Sequence, residues 1–91
     1  LSTDKACSPS TLYGATKLCS ERIFLAANNI KGNQKINFSV VRYGNVVGSR
    51  GSVVPLLLDM KKNKTKYFNL THNDATRFWI SLDESIEMVL Y

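Results

Sequence analysis

Long hydrophobic runs are missing from this chain. The longest, Val53 to Leu58, already contains Pro55. A membrane-spanning helix needs about 20 apolar residues, so no transmembrane segment is expected. No signal peptide is visible either. Cysteine is scarce: Cys7 and Cys19 match no zinc spacing, and the single histidine, His72, is far off in sequence. That excludes a disulfide framework and a metal site, and predicts reduced, half-buried thiols in a cytoplasmic protein. Repeats and low-complexity stretches are also absent. With 44% apolar and 21% charged residues, the composition is that of a globular protein, not of a disordered tail or a collagen. Ninety-one residues allow one small domain at most, and a marginally stable one. The chain opens on Leu1-Ser2-Thr3-Asp4 instead of Met, and the expectation is a piece cut from something longer.

Twelve basic against seven acidic residues leave a net charge of +5. Lys61, Lys62, Lys64 and Lys66 concentrate part of it, which raises the possibility of a nucleic-acid surface. No aromatic platform interleaves these lysines, and Asp59 and Asp74 flank them. A solvated helix end is the better reading, so no nucleic-acid partner is expected.

Ser8-Pro9-Ser10-Thr11 supplies hydroxyls ready to cap a helix. The helix should run from Leu12 to about Asn28. Leu12, Ala15, Cys19, Ile23 and Ala26 recur at spacings of three and four, and Leu18, Phe24 and Leu25 widen that face, so it should be mostly buried. Ile36 to Tyr43 reads as a strand, with Val40 and Val41 suggesting burial on both faces. A loop with three glycines, Gly44 to Gly51, precedes a second helix from about Val54 to Lys62. Tyr67 to Leu70 is a candidate short strand. Phe78-Trp79-Ile80 is an apolar stub in which both aromatics are expected to be core. Ser81-Leu82-Asp83-Glu84 is a capping box that opens a final helix. Alternation of this kind predicts an α/β fold with a parallel sheet, and the strands are too few to close one.

Two short features could carry chemistry. Tyr13 and Lys17 stand at i and i+4, on one face of the first helix. A lysine ammonium near a phenol favours the phenolate, which makes a general base for a hydroxyl proton. Such a pair arises readily by chance, and a packed Tyr beside a snorkelling Lys is the plainer alternative. Ser2-Thr3-Asp4-Lys5 closes the first strand stub. Ligands of open α/β sheets bind beyond the carboxyl ends of strands, although a polar turn would look the same.

Taken together the two are more specific. Thr3-Asp4-Lys5 followed by Tyr13-x-x-x-Lys17 resembles the extended short-chain dehydrogenase/reductase family. Ser2 to Ala6, Leu12 to Lys17, Val40 to Pro55 and Thr76 to Ile80 are similar, almost end to end, to its UDP-N-acetylglucosamine 4,6-dehydratase branch. Within that branch the chain resembles the inverting enzymes that begin pseudaminic acid synthesis. The resemblance implies part of a Rossmann-like doubly wound parallel sheet. Residues 1–91 would then be a fragment of a single domain, without the glycine-rich N-terminal dinucleotide half.

The same resemblance implies roles. Tyr13 takes the proton of the sugar 4-hydroxyl while NADP⁺ oxidises carbon 4. Lys17 holds the nicotinamide ribose and favours the Tyr13 phenolate, and Thr3 hydrogen-bonds the 4-hydroxyl. Lys5 removes the carbon-5 proton, and Asp4 protonates the departing 6-hydroxyl. Tyr43 and Val46 pack near the nicotinamide. Asn45, Ser49, Arg50, Gly51, Ser52 and Val53 touch the UDP-sugar, in a loop whose helix N-terminus and Arg suit a diphosphate. Arg77 is a second phosphate or uridine contact, or else a surface side chain beside Trp79. Many related dehydratases carry Glu where Lys5 stands, and membrane-bound relatives often carry Met at the Tyr13 position. Tyr13 therefore favours the soluble, carbon-5-inverting branch. The implied reaction is NADP-dependent 4,6-dehydration of UDP-N-acetylglucosamine by a homo-oligomer when full length, with no metal and no membrane partner. The fragment alone is expected to be inactive. The alternatives are another nucleotide-sugar epimerase or reductase of the extended family, or an inactive fragment with a basic binding surface.

Overall fold

A computed structural model describes residues 1–91. Three helices and four two-residue strands alternate along the chain: β1 (Ser2–Thr3), a short 3-10 helix (Asp4–Ala6), α1 (Leu12–Ile30), β2 (Arg42–Tyr43), β3 (Asn45–Val46), α2 (Val53–Lys62), β4 (Trp79–Ile80) and α3 (Leu82–Leu90). The chain divides into two units, Leu1–Tyr43 with Met88–Tyr91 and Gly44–Glu87.

In the first unit, β1 and β2 pair in parallel, Ser2 opposite Arg42 and Thr3 opposite Tyr43, with α1 as the crossover between them. The predicted start of α1 is realised: Thr11 is its N-cap, and its hydroxyl accepts from the Gly14 N–H at 3.1 Å. The helix runs two residues past the expected end and stops at Ile30, before Gly32 turns left-handed at φ 57°.

The expected burial of α1 is corrected. Only Gly14 and Glu21 are buried on it, while Leu12, Ile23 and Phe24 are exposed. The packed face is drawn by a glycine and a carboxylate instead of by the apolar set. Gly14 lies so close to the 3-10 helix that an added Cβ would collide with the Lys5 carbonyl oxygen.

The strand expected over Ile36 to Tyr43 is also corrected: only Arg42–Tyr43 joins a ladder. Phe38 spends its N–H and C=O on the Asn28 side-chain amide, at 2.9 and 2.7 Å. Val40 and Val41 are half-buried and not enclosed on both faces.

The second unit repeats the pattern, with β3 and β4 parallel, Asn45 opposite Trp79 and Val46 opposite Ile80, and α2 between them in sequence. Gly44 sits against Phe78, where a Cβ would stand 2.6 Å from the Phe78 carbonyl oxygen. The capping box forms as predicted: Ser81 N–H donates to Glu84 Oε2 at 2.9 Å, and Glu84 N–H donates to Ser81 Oγ at 3.2 Å. Tyr67 to Leu70 forms no strand. Phe78 and Trp79 are exposed, against the expectation that both are core.

Ala6 is the one buried hydrophobic residue. The thiols of Cys7 and Cys19 are free and exposed, not half-buried. No helix is long and apolar enough to cross a membrane.

Candidate functional site

Thr3 ends β1, and the chain turns at once into the 3-10 helix that carries Asp4 and Lys5. Three polar side chains are thereby held within one turn. The Thr3 hydroxyl donates to Asp4 Oδ1 at 3.0 Å, and Lys5 Nζ donates to the same oxygen at 3.1 Å. Thr3 Oγ1 also accepts from the Lys5 N–H at 3.3 Å, so it caps the short helix. Partial burial pushes the Asp4 carboxyl up. The hydrogen bonds from Lys5 and Thr3, with the lysine charge, outweigh that and hold it below its ordinary value. Asp4 and Lys5 are therefore an ion pair, partly open to solvent.

Helix α1 packs on this turn and on β1. It carries Tyr13, which is exposed, and one turn later Lys17, which is half-buried. Lys17 Nζ donates to the Leu1 carbonyl oxygen at 3.1 Å, which brings it onto β1. Tyr43, half-buried, ends β2 opposite Thr3. Thr3, Asp4, Lys5, Tyr13, Lys17 and Tyr43 thus share the first unit.

Asn45, Val46, Ser49, Arg50, Gly51, Ser52, Val53 and Arg77 belong to the second unit. Asn45 and Val46 form β3, and the Val46 carbonyl accepts from Ser49 N–H at 3.3 Å to start the loop. Gly48 and Gly51, both at φ 75°, turn the chain on either side of Ser49 and Arg50. Ser52 is the N-cap residue of α2 without a side-chain cap bond, and its Oγ is buried without a partner. Val53 is the first residue of α2. Arg77 lies just before β4 and donates to the neighbouring Thr76 carbonyl at 2.6 Å.

One pair was not singled out by the sequence reasoning. Glu21 is 5% exposed, and Arg42 grips it with Nε on Oε1 at 2.9 Å and Nη2 on Oε2 at 2.6 Å. These bonds hold the Glu21 carboxyl down at about 2. The Ser2 hydroxyl adds to the lowering but makes no hydrogen bond of good geometry. The available signal was spacing: Gly14, Lys17 and Glu21 recur at three and four, on the face that packs. Ser2, Lys17, Glu21, Phe24 and Val40 line an open pocket of about 280 Å³ in this unit.

Comparison with known proteins gives the family and the fold. The sequence pattern of the family described as polysaccharide biosynthesis protein matches residues 1–91. A Campylobacter jejuni UDP-N-acetylglucosamine 4,6-dehydratase (inverting) is 58% identical over 90 residues, which are 99% of this chain and 27% of that enzyme. A Rickettsia bellii UDP-glucose 4-epimerase is 42% identical over 91 residues, the whole of this chain and 26% of that one. The X-ray structure of Pen from Bacillus thuringiensis superposes with a TM-score of 0.89 at 38% identity, covering 98% of this chain and 27% of that one. The chain thus spans about a quarter of the length of the relatives it matches. Its two parallel strand pairs and three helices are part of a Rossmann-like α/β fold, and the chain belongs to this polysaccharide biosynthesis family.

Proposed function

We propose that the protein to which these residues belong dehydrates UDP-N-acetylglucosamine across carbons 4, 5 and 6, with inversion at carbon 5, in the cytoplasm. The observation that carries this reading is the hydrogen-bonded Thr3–Asp4–Lys5 cluster beneath the helix that bears Tyr13 and Lys17. An acid and a base side by side suit the loss of water, which epimerisation at carbon 4 does not require.

Tyr13, as phenolate, takes the proton of the 4-hydroxyl while Thr3 holds that oxygen. Lys17 fits the ribose of a nicotinamide dinucleotide. Its ammonium has three donors, of which the Leu1 carbonyl engages one. Tyr43, in the same unit, would border the nicotinamide ring. NADP bound there would supply the oxidant at carbon 4 and, once water has left, the hydride for carbon 6, while an acid in exchange with solvent would protonate carbon 5 on the face opposite Lys5 and so invert it.

The ketone at carbon 4 acidifies the proton on carbon 5. Neutral Lys5 takes that proton, the electron pair forms the carbon 5–carbon 6 double bond, and the carbon 6–oxygen bond breaks. Asp4, as the acid, protonates the departing oxygen, which leaves as water. Elimination begins from neutral Lys5 and protonated Asp4 and ends as the Asp4–Lys5 ion pair. The two forms differ by one proton moved across the 3.1 Å contact. A sugar seated over the pair strips its water and favours the neutral form, since desolvation penalises charge. In the second unit, Asn45, Arg50, Arg77 and the loop through Ser49, Gly51, Ser52 and Val53 would hold the UDP moiety, with the α2 N-terminus offering N–H groups to a phosphate.

The test is proton NMR of the product formed by the full-length protein from UDP-N-acetylglucosamine. Dehydration gives a carbon-6 methyl signal and loss of the hydroxymethylene. A second reading, 4-epimerisation, is favoured by the 42% identity to the Rickettsia bellii epimerase. It predicts that the hydroxymethylene persists with carbon 4 inverted, and that outcome would replace the first reading.

A further inference from the structure

We propose that the Glu21–Arg42 ion pair is a positioning device that fixes the helix bearing Tyr13 and Lys17 against the strand bearing Thr3. The proposal rests on the catalytic reading of those three residues and adds two that act through them.

Glu21 stands one turn after Lys17 and two turns after Gly14, on the face of α1 that packs. It is an anion in a nearly closed place, with its side chain 6% exposed. An apolar residue there would cost less desolvation, and the Arg42 end of the pair stays 38% exposed, so the pair fixes a register more than it adds stability. The contact is two-pronged: Nε and Nη2 of Arg42 each bond a different carboxylate oxygen. It therefore fixes orientation as well as distance.

Arg42 is the direct ladder partner of Ser2, the residue before Thr3. The pair thus links α1 through β2 to β1. With the close approach of Gly14 to the Lys5 carbonyl, the Lys17 bond to Leu1 and the Asn28 amide on the Phe38 backbone, it ties α1 to the turn and to the strand side of the unit. It is also the fixing nearest the middle of the helix. Without it α1 can slide or roll, and Tyr13 and Lys17 move with it. A misplacement of about 1 Å costs a reaction roughly 100-fold.

The test uses full-length protein loaded with its nicotinamide cofactor, in a single turnover followed at the absorbance of the reduced ring. The rate constant does not depend on how much protein is folded, whereas the amplitude does. Glu21→Gln keeps the shape and removes the charge. Its rate constant should fall about 10- to 100-fold, while its affinity for UDP, measured by calorimetric titration, changes less than about 3-fold. Arg42→Lys keeps one prong, should retain full amplitude, and should fall between wild type and Glu21→Gln in rate. A wild-type rate constant with reduced amplitude in Glu21→Gln would make the pair a stability element only and overturn the proposal, as would UDP affinity lost in step with rate. If Glu21→Gln does not fold, Arg42→Lys decides: a slowed rate constant at full amplitude supports the proposal, and an unchanged one overturns it. Tyr13→Phe separates the two levels. A wild-type rate in Tyr13→Phe overturns the catalytic reading and the positioning with it. A slow Tyr13→Phe beside a wild-type-rate Glu21→Gln overturns the positioning alone.

Discussion

Gly14→Ala places one methyl group where the helix meets the turn that carries Asp4 and Lys5. The added Cβ would collide with the Lys5 carbonyl oxygen and would stand 3.0 Å from Pro9 Cβ and 3.1 Å from the Lys5 carbonyl carbon. Two effects oppose each other. Alanine is the better helix former, by about 1 kcal/mol. Overpacking costs about 1–3 kcal/mol, and here the upper end applies because the obstacle is backbone and cannot rotate aside. The net loss is about 2 kcal/mol, or a melting point lower by roughly 3 °C in a full-length protein. The relief available is to push the 3-10 helix off α1. That displaces Asp4 and Lys5, so turnover should fall by at least about tenfold as well. Gly32→Ala is the control. Gly32 is left-handed at φ 57° with nothing within 4 Å, so it costs strain of about 1 kcal/mol and no activity. The assay is a thermal melt with a turnover rate for each variant in the full-length protein. A Gly14→Ala variant as stable and as active as Gly32→Ala would refute the close packing of α1 on the turn.

Two other outcomes follow from the same kind of reasoning. Gly44→Ala would put a Cβ 2.6 Å from the Phe78 carbonyl oxygen, which accepts the Asn45 N–H at 2.9 Å. The β3–β4 pairing should loosen and UDP affinity should drop, as read by titration calorimetry. Asp4 and Glu21 both have depressed carboxyl values in the folded protein. Their stabilising contribution is therefore complete above the ordinary carboxylate range near 4 and is lost as pH falls below it, for Glu21 toward about 2. Melting points measured from pH 6 down to pH 3 should decline, and more shallowly in Glu21→Gln, which has lost the more strongly shifted carboxylate.

The helix starts were legible because their signals are local. Thr11 caps α1, and Ser81 with Glu84 forms the capping box of α3, both from residues within one turn. The parallel strands were legible as alternation, but not in length. The eight residues from Ile36 suit a strand, yet Phe38 is taken by Asn28, a contact ten residues apart that no propensity encodes. Burial was the least legible. Periodicity marked Leu12, Cys19 and Ile23 as an inner face, whereas all three are exposed. An apolar stripe says that a face can be covered, not that it is covered within these 91 residues. Thr3, Asp4, Lys5, Tyr13 and Lys17 stood out only in combination, because together they resemble a family motif, whereas each feature alone reads as well as a polar turn or a packed Tyr beside a Lys. Glu21 did not, because its partner Arg42 lies 21 residues away, and a charge on a helix reads as solvent-facing until that partner is seen.

The most direct test of the account is Lys5→Ala in the full-length protein, given UDP-N-acetylglucosamine in D₂O. Wild-type product should carry deuterium at carbon 5, because the proton removed by Lys5 is lost and its replacement, delivered on the opposite face, comes from solvent. Lys5→Ala should oxidise carbon 4 and stop. Reduced nicotinamide should then accumulate in the absorbance trace, and no carbon-6 methyl signal should appear in the NMR spectrum. Normal turnover with normal carbon-5 labelling in Lys5→Ala would contradict the account and leave Lys5 as only the structural cation beside Asp4.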